Sequence, residues 1–444
     1  MHYCVQLFFP FLTLPLFIQA ENNCQLRLEY QKTVAGAILA TASVANAGII
    51  IPAGDWTLDI GGVVNAYYTS TRNTGDRTAG YGSLLGGRNA GDDLLGGGAN
   101  NTTQSNMTTG LLPNYLSVSG TTRQNDLDVA FTISINPGAS TRSAGIQAAN
   151  QENRQAFLTF GDKSWGSIKL GKDLGIFASD AILNDMTLLG VGSGAGSLAG
   201  NTTTLGRIGT GFIYADWKAQ AAYTSPNWNG FQLTAGATQA FGAVDNIAAV
   251  ATGLNAATST NRGGAQPAFE AKASYAWTGD VAGKVWVSTL SQKVVGLSGA
   301  AADSGDRVYA WDIGTNVNVA KFGLTGYYYD GKGIGQTVQL NGGFDITGKR
   351  RDSKGGYVQA TYVIPTGTKL GVSWGESTLE ANSGEAIKTG QTGKNLTDSM
   401  WTVGAYHPLT KHLNLVAEYS DVRSDIGNLE GKGRTVSAGA ILFF

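Results

Sequence analysis

The sequence predicts an all-β fold: a transmembrane antiparallel β-barrel of about sixteen strands. Three observations carry this expectation. Apolar and polar residues alternate with period two in runs of about ten, the length that a tilted strand needs to cross a bilayer. The apolar face of these runs ends in Trp, Tyr or Phe, while the opposite face carries charges. The links between runs largely alternate between short and long, as periplasmic turns and extracellular loops do.

Composition agrees. Of 444 residues only 14% are charged, against about 25% in ordinary soluble chains. The balance of 31 Lys+Arg and 32 Asp+Glu gives a net charge of −1, which excludes a strongly basic nucleic-acid binder. A hydrophobic share of 42%, with 17 Tyr, 16 Phe and 9 Trp, excludes a disordered chain. The 63 glycines show no period of three, so collagen is excluded as well.

Two apolar stretches open the chain. Val5 to Ala20 is interrupted by Pro10 and Pro15. Val34 to Ala47 follows Arg27 and Lys32 and ends Ala45-Asn46-Ala47, the order of a secretory signal with its cleavage site after Ala47. Residues 1–47 are therefore expected to be a targeting segment, long because the start is read too early; the alternative is that Val5–Ala20 is the signal. Both stretches fall short of the roughly 18 apolar residues of a spanning helix. Cys4 and Cys24 precede the cleavage site, so the exported chain, residues 48–444, has no cysteine and no disulfide. It reads as one domain.

The strands follow in order. Trp56, Leu58, Ile60, Val64, Ala66 and Tyr68 oppose Thr57, Asp59 and Asn65. Leu127, Val129, Phe131, Ile133 and Ile135 oppose Asp126, Asp128, Thr132 and Ser134. The same alternation sets Trp217 to Tyr223 against Lys218 and Gln220, and Phe269 to Trp277 against Glu270, Lys272 and Ser274. It continues with Tyr309 to Val319 against Asp312, Asn316 and Asn318, and with Val358 to Ile364 against Gln359 and Thr361. Leu413, Leu415, Ala417 and Tyr419 share a face, as do Val436, Ala438, Ala440, Leu442 and Phe444. Long links are expected near 70–113, 138–151, 173–206, 239–266, 294–306, 331–354, 377–398 and 421–433. With an even strand count both ends lie on the periplasmic side, and the first strand closes on the last. Lys169, Lys218 and Lys272 are inward candidates, as are Asp126, Asp128, Glu270, Asp312 and Glu418.

Specific residues then resemble a known family. Asn153-Arg154-Gln155-Ala156-Phe157-Leu158-Thr159-Phe160-Gly161, followed by Trp165-Gly166-Ser167-Ile168-Lys169-Leu170-Gly171-Lys172, is similar to a hairpin of the Gram-negative general porins of the trimeric type, in particular their β-proteobacterial branch. Ala222-Tyr223-Thr224-Ser225-Pro226-Asn227-Trp228-Asn229-Gly230-Phe231 resembles a turn of the same family, and Phe444 its aromatic end, which the barrel-insertion machinery reads.

The resemblance implies a homotrimer in the outer membrane, among lipid and lipopolysaccharide. It also implies a third extracellular loop, here 173–206, folded into the lumen, with Asp180 and Asp185 as its acids. Arg154 and Arg207 match two positions of the basic wall that the family sets opposite this loop, and Lys169 joins them by strand parity. Tyr115 stands where the family often has Arg. Acids facing cations across a narrow opening orient water and dipolar solutes. The expected function is passive diffusion of small hydrophilic solutes and ions; the alternative is an adhesin or structural barrel with a plugged lumen. For Asp180 and Asp185 the other reading is that they cap turns within the loop. Parity sets Arg154 with Ala156 and Leu158, so either a bulge intervenes or Arg154 lies outside the ladder.

Other chemistry is set aside. His407 and His412 flank one short turn and supply neither a catalytic base nor enough metal ligands. Gly190 to Gly196 does not open a helix after a buried strand, as a phosphate loop would. Asp92-Asp93 reads as solvated loop acid rather than a calcium site. No catalytic residues, metal or cofactor are expected.

Overall fold

Alternation becomes a closed wall. The computed structural model describes residues 48–75, 103–139, 151–193, 202–244, 256–298, 306–382, 395–427 and 429–444. The proposed targeting segment, Asp92-Asp93 and most of the expected 70–113 loop lie outside them. Sixteen antiparallel strands form the barrel. They are β1 (Trp56–Gly75), β2 (Tyr115–Gln124), β3 (Leu127–Pro137), β4 (Ala156–Asp162), β5 (Gly166–Leu174), β6 (Trp217–Thr224), β7 (Phe231–Thr238) and β8 (Ala268–Trp277). The second half comprises β9 (Val281–Leu297), β10 (Asp306–Val319), β11 (Phe322–Lys332), β12 (Asp352–Val363), β13 (Lys369–Leu379), β14 (Leu396–Pro408), β15 (Leu413–Ile426) and β16 (Leu429–Phe443).

Closure runs from Val63 opposite Phe443 to Gly75 opposite Gly431. The last residue joins the wall, with reciprocal backbone bonds between Gly62 and Phe444 of 2.8 and 3.1 Å. A short strand, Ile49–Ala53, folds back on Trp56–Ile60 and continues the line of β16. Thr103–Thr108 pairs with the outer part of β1 above β2. Each strand is thus paired on both sides along most of its length, the condition for β-structure in lipid.

The expected parity holds along the wall. Val64, Ile133, Tyr223, Phe269, Trp311, Val358, Leu415 and Val436 all face outward and are exposed, while Asn65, Ser134, Lys218, Glu270, Asp312 and Glu418 face inward and are buried. Trp374 and Trp401 sit side by side toward the extracellular end, and Phe322 beside Tyr362 toward the periplasmic turns, which gives two aromatic belts. The periplasmic links are tight. Asn125 and Asp126 take φ of 48° and 61°, the left-handed pair of a two-residue hairpin, so Asp126 belongs to the turn and not to the strand. One expected loop is strand instead: β15 runs to Ile426 and β16 starts at Leu429, so 421–433 is mostly paired wall.

The buried apolar core lies inside the barrel. Trp286, Leu290, Val308, Tyr327, Tyr329 and Tyr357 face inward from β9 to β12 and meet Phe177, Ile208, Phe212, Ile334 and Phe344 from links that turn into the lumen.

Candidate functional site

The third loop does fold inward. It leaves the wall after Leu174 and rejoins it at Trp217, so it is longer than expected and Asp173 is part of β5. A short helix, α1 (Ser179–Leu183), and a 3-10 turn at Met186–Leu189 shape its first half.

Two wall carboxylates hold this segment by consecutive backbone amides. Glu270 Oε2 accepts from the N–H groups of Ile176 and Phe177, both at 2.8 Å. Its other oxygen accepts from Lys218 Nζ at 2.6 Å and Thr238 Oγ1 at 2.9 Å. Glu418 Oε2 accepts from Val191 N–H at 2.9 Å and Gly192 N–H at 2.8 Å, and its Oε1 from the Tyr406 hydroxyl at 2.6 Å. A Cβ on Gly190 would lie 2.1 Å from Glu418 Oε1, so a side chain there would displace this carboxylate from its amides. Between these ends Gln359 accepts from Met186 N–H at 2.9 Å and donates to Asn184 O at 2.7 Å, and Tyr357 donates to Ala181 O at 2.6 Å.

Asp180 carries the charge of the segment. Its carboxylate lies 2.8 Å from Lys272 Nζ on β8 and 2.5 Å from Lys284 Nζ on β9. Burial works against its ionisation, but the two ammonium groups outweigh it and hold the carboxyl at about 2. Both lysines keep part of their side chains open to the lumen. Its parity opposite to Val285 and Val287, which face lipid, is the signal that would have singled out Lys284.

The other expected residues are placed differently. Asp185 caps the 3-10 turn, accepting from Thr187 N–H at 3.0 Å and Thr187 Oγ1 at 2.7 Å. Arg207 is not on the wall: it belongs to the inserted segment and reaches across to the wall, donating to Met400 O at 3.0 Å and to Ser373 Oγ. Burial pushes its guanidinium down. Arg154 lies outside the ladder in the link before β4, buried, and donates to Glu152 at 2.9 Å beneath the Trp217 ring. Lys169 faces inward from β5, half-buried, ion-paired to Asp173 and packed on the Phe157 ring. Arg154, Lys169 and Arg207 therefore do not gather into one cluster with Asp180; Lys272 and Lys284 take that place. His407 Nδ1 meets Thr368 Oγ1 at 2.9 Å between neighbouring turns. Among the described residues no three His, Cys, Asp or Glu side chains gather as metal ligands would.

The geometry is that of a lipid-facing barrel with an anchored segment in its lumen. A family model described as Gram-negative porin matches residues 33–427. The chain belongs to the Gram-negative porins. No curated protein sequence matches this porin. Solved structures share its fold at low identity. The outer membrane channel DcaP of Acinetobacter baumannii is 15% identical with a TM-score of 0.60, over 88% of this porin and 99% of that chain. An anion-selective porin from Comamonas acidovorans is 13% identical with a TM-score of 0.53, over 88% and 100%. The Vibrio cholerae outer membrane protein OmpT in its trimer form is 12% identical with a TM-score of 0.50, over 88% and 99%. This porin is thus an outer-membrane β-barrel and a channel for solute diffusion.

Proposed function

We propose that this porin passes small hydrophilic solutes and ions passively, through a lumen narrowed by residues 175–193 and 202–216, with a preference for anions. The observation that carries the reading is Asp180 on the inserted segment between Lys272 and Lys284 on the wall. Among these three groups one acid against two cations leaves a net positive charge, whereas Lys169 is balanced by Asp173 and adds none. A fixed charge at a low-dielectric opening concentrates counter-ions. Arg154 and Arg207, buried and bonded to neighbouring groups, act in this reading as braces of the inserted segment and of its approach. The anion-selective Comamonas porin shares the fold and supports the direction.

Export with loss of residues 1–47 is proposed on the signal pattern ending Ala45-Asn46-Ala47, and insertion read from Phe444, contact with lipid and lipopolysaccharide, and assembly as a homotrimer are proposed on the family resemblance, the last supported by the trimer form of OmpT. The apolar core inside the barrel favours a second reading, a lumen closed to solutes. Single-channel current in a planar bilayer under a salt gradient separates the two. Ohmic steps with an anion-directed reversal potential are expected; a silent barrel, or one that prefers cations, sinks the first reading.

A further inference from the structure

The lumen holds a second inserted segment. Residues 333–351, between β11 and β12, coincide with a link that reads in sequence as extracellular, yet Ile334, Leu340 and Phe344 are 0–1% exposed. Gly331, whose neighbours are Ile334 and the inward-facing Ala310, marks where the chain turns into the barrel. This segment locks onto the first. Tyr214 N–H donates to Thr337 O at 2.7 Å, and Gln339 Nε2 donates to Tyr214 O and Ala215 O at 3.3 and 3.1 Å. Tyr329 on the wall donates to Gly211 O at 3.0 Å directly beside them. Gly342 N–H donates to Val244 O at 3.0 Å, which ties in the link after β7 as well.

We infer that residues 333–351 are a second constriction element, which covers the β10–β12 side of the lumen and confines solutes to the remainder, between the Lys272–Lys284 pair and the side lined by β2–β5. That side is suited to small polar solutes. Ser117, Ser119, Thr132, Thr159 and Ser167 face inward on neighbouring strands and are partly exposed. Hydroxyl groups replace part of a solute's hydration without demanding one sign of charge. The inference rests on the channel reading and extends it: charge at Asp180 biases which ions enter, while the second segment limits size.

The backbone offers a clean test. Gly335 bridges Asn341, and a Cβ on Gly343 would lie 3.1 Å from the Gly335 nitrogen, so residues 336–342 can be excised and the ends rejoined by Gly-Ser. Heat-modifiable gel migration reports whether the barrel has folded. Single-channel conductance should rise roughly twofold or more on widening such a constriction, and vesicles should admit larger sugars than those with the wild type. Gln336→Ala with Gln339→Ala keeps the backbone and should raise open-channel noise. A folded excision variant with wild-type conductance and size cut-off overturns the inference. If excision prevents folding, wild-type current and noise in the double alanine variant overturn it. A silent wild type beside a conducting excision variant upholds it and refutes passive diffusion instead; silence in both refutes it, because another element then closes the lumen.

Discussion

Asp180→Asn tests the charge arrangement at the inserted segment. The substitution keeps size and removes the single anion between Lys272 and Lys284, at 2.8 and 2.5 Å. Among Asp180, Lys272 and Lys284 the net charge rises from +1 to +2. One added charge acting on an ion about 7 Å away, at an effective dielectric of about 60, contributes about 0.8 kcal/mol. Since about 1.4 kcal/mol is tenfold, that changes local ion concentration by a factor of about 4. Anions gain and cations lose, so their permeability ratio should shift by roughly tenfold at low salt. The shift should shrink as salt rises, because the Debye length falls from about 30 Å at 0.01 M to about 10 Å at 0.1 M. The assay is the reversal potential across a KCl gradient at two ionic strengths. An open variant with an unchanged reversal potential, or one shifted toward cations, refutes the placement of this cluster beside the ion path.

Further outcomes follow from the same contacts. With its folded value near 2 against an ordinary 3.8, Asp180 contributes about 2 kcal/mol to the docked state. That contribution is full above the ordinary value and is lost as pH falls through about 2, so conductance should show no change from this group at pH 5 and a rise in noise only in strong acid. Glu418→Ala orphans the amides of Val191 and Gly192 and the Tyr406 hydroxyl, at a cost of about 1–3 kcal/mol per buried group; hydrogen exchange at 191–192 should accelerate, more than in Glu418→Gln. Arg207→Ala removes the brace to Met400 and Ser373 and leaves both acceptors buried; the temperature at which the folded gel form is lost should drop. Val358→Arg on the outward face should cost about 2–4 kcal/mol in vesicle refolding, whereas Thr361→Arg on the lumen side should refold normally.

Legibility in the sequence followed the physics that sets each feature. Wall strands were readable because lipid and lumen impose opposite demands on successive residues: Val436 and Leu442 face lipid, and Ser437 faces inward. Periplasmic turns were readable to within a few residues because Asn, Asp, Gly and Pro mark them. Extracellular ends were not, since strand pairing above the membrane needs no apolar alternation; β15 and β16 carry Arg423, Asp425, Glu430 and Lys432 there, joined by ion pairs of the kind common in loops. At the site, Asp180 was legible as a loop acid, but its partners were not. Lys272 and Lys284 lie more than 90 residues on, and nothing local ties them to it. Arg207 was placed on the wall by the family resemblance; it lies on the segment that crosses the lumen, and nothing local in the sequence separates the two.

The failure of alternation is itself informative. Short stretches of β9 and β11 are apolar or aromatic on both faces: Val285, Trp286 and Val287 run together, as do Tyr327, Tyr328 and Tyr329. A strand facing lipid on one side and open water on the other has no reason to bury Trp286, Tyr329 and Tyr357 inward. It does so only where something apolar covers that face, and here Phe212, Ile334 and Phe344 supply the cover. Each such side chain, fully buried, contributes on the order of 1.5–3 kcal/mol. Phe212 alone packs its ring against Tyr327, Tyr329 and Tyr357 at 6.5, 6.1 and 5.8 Å. Contacts of that strength on both inserted segments, added to the anchors at Glu270 and Glu418, hold them as part of the wall. The inner surface met by a solute is therefore set by which polar inward faces stay uncovered, as on β2 to β5, and not by the circumference of the barrel.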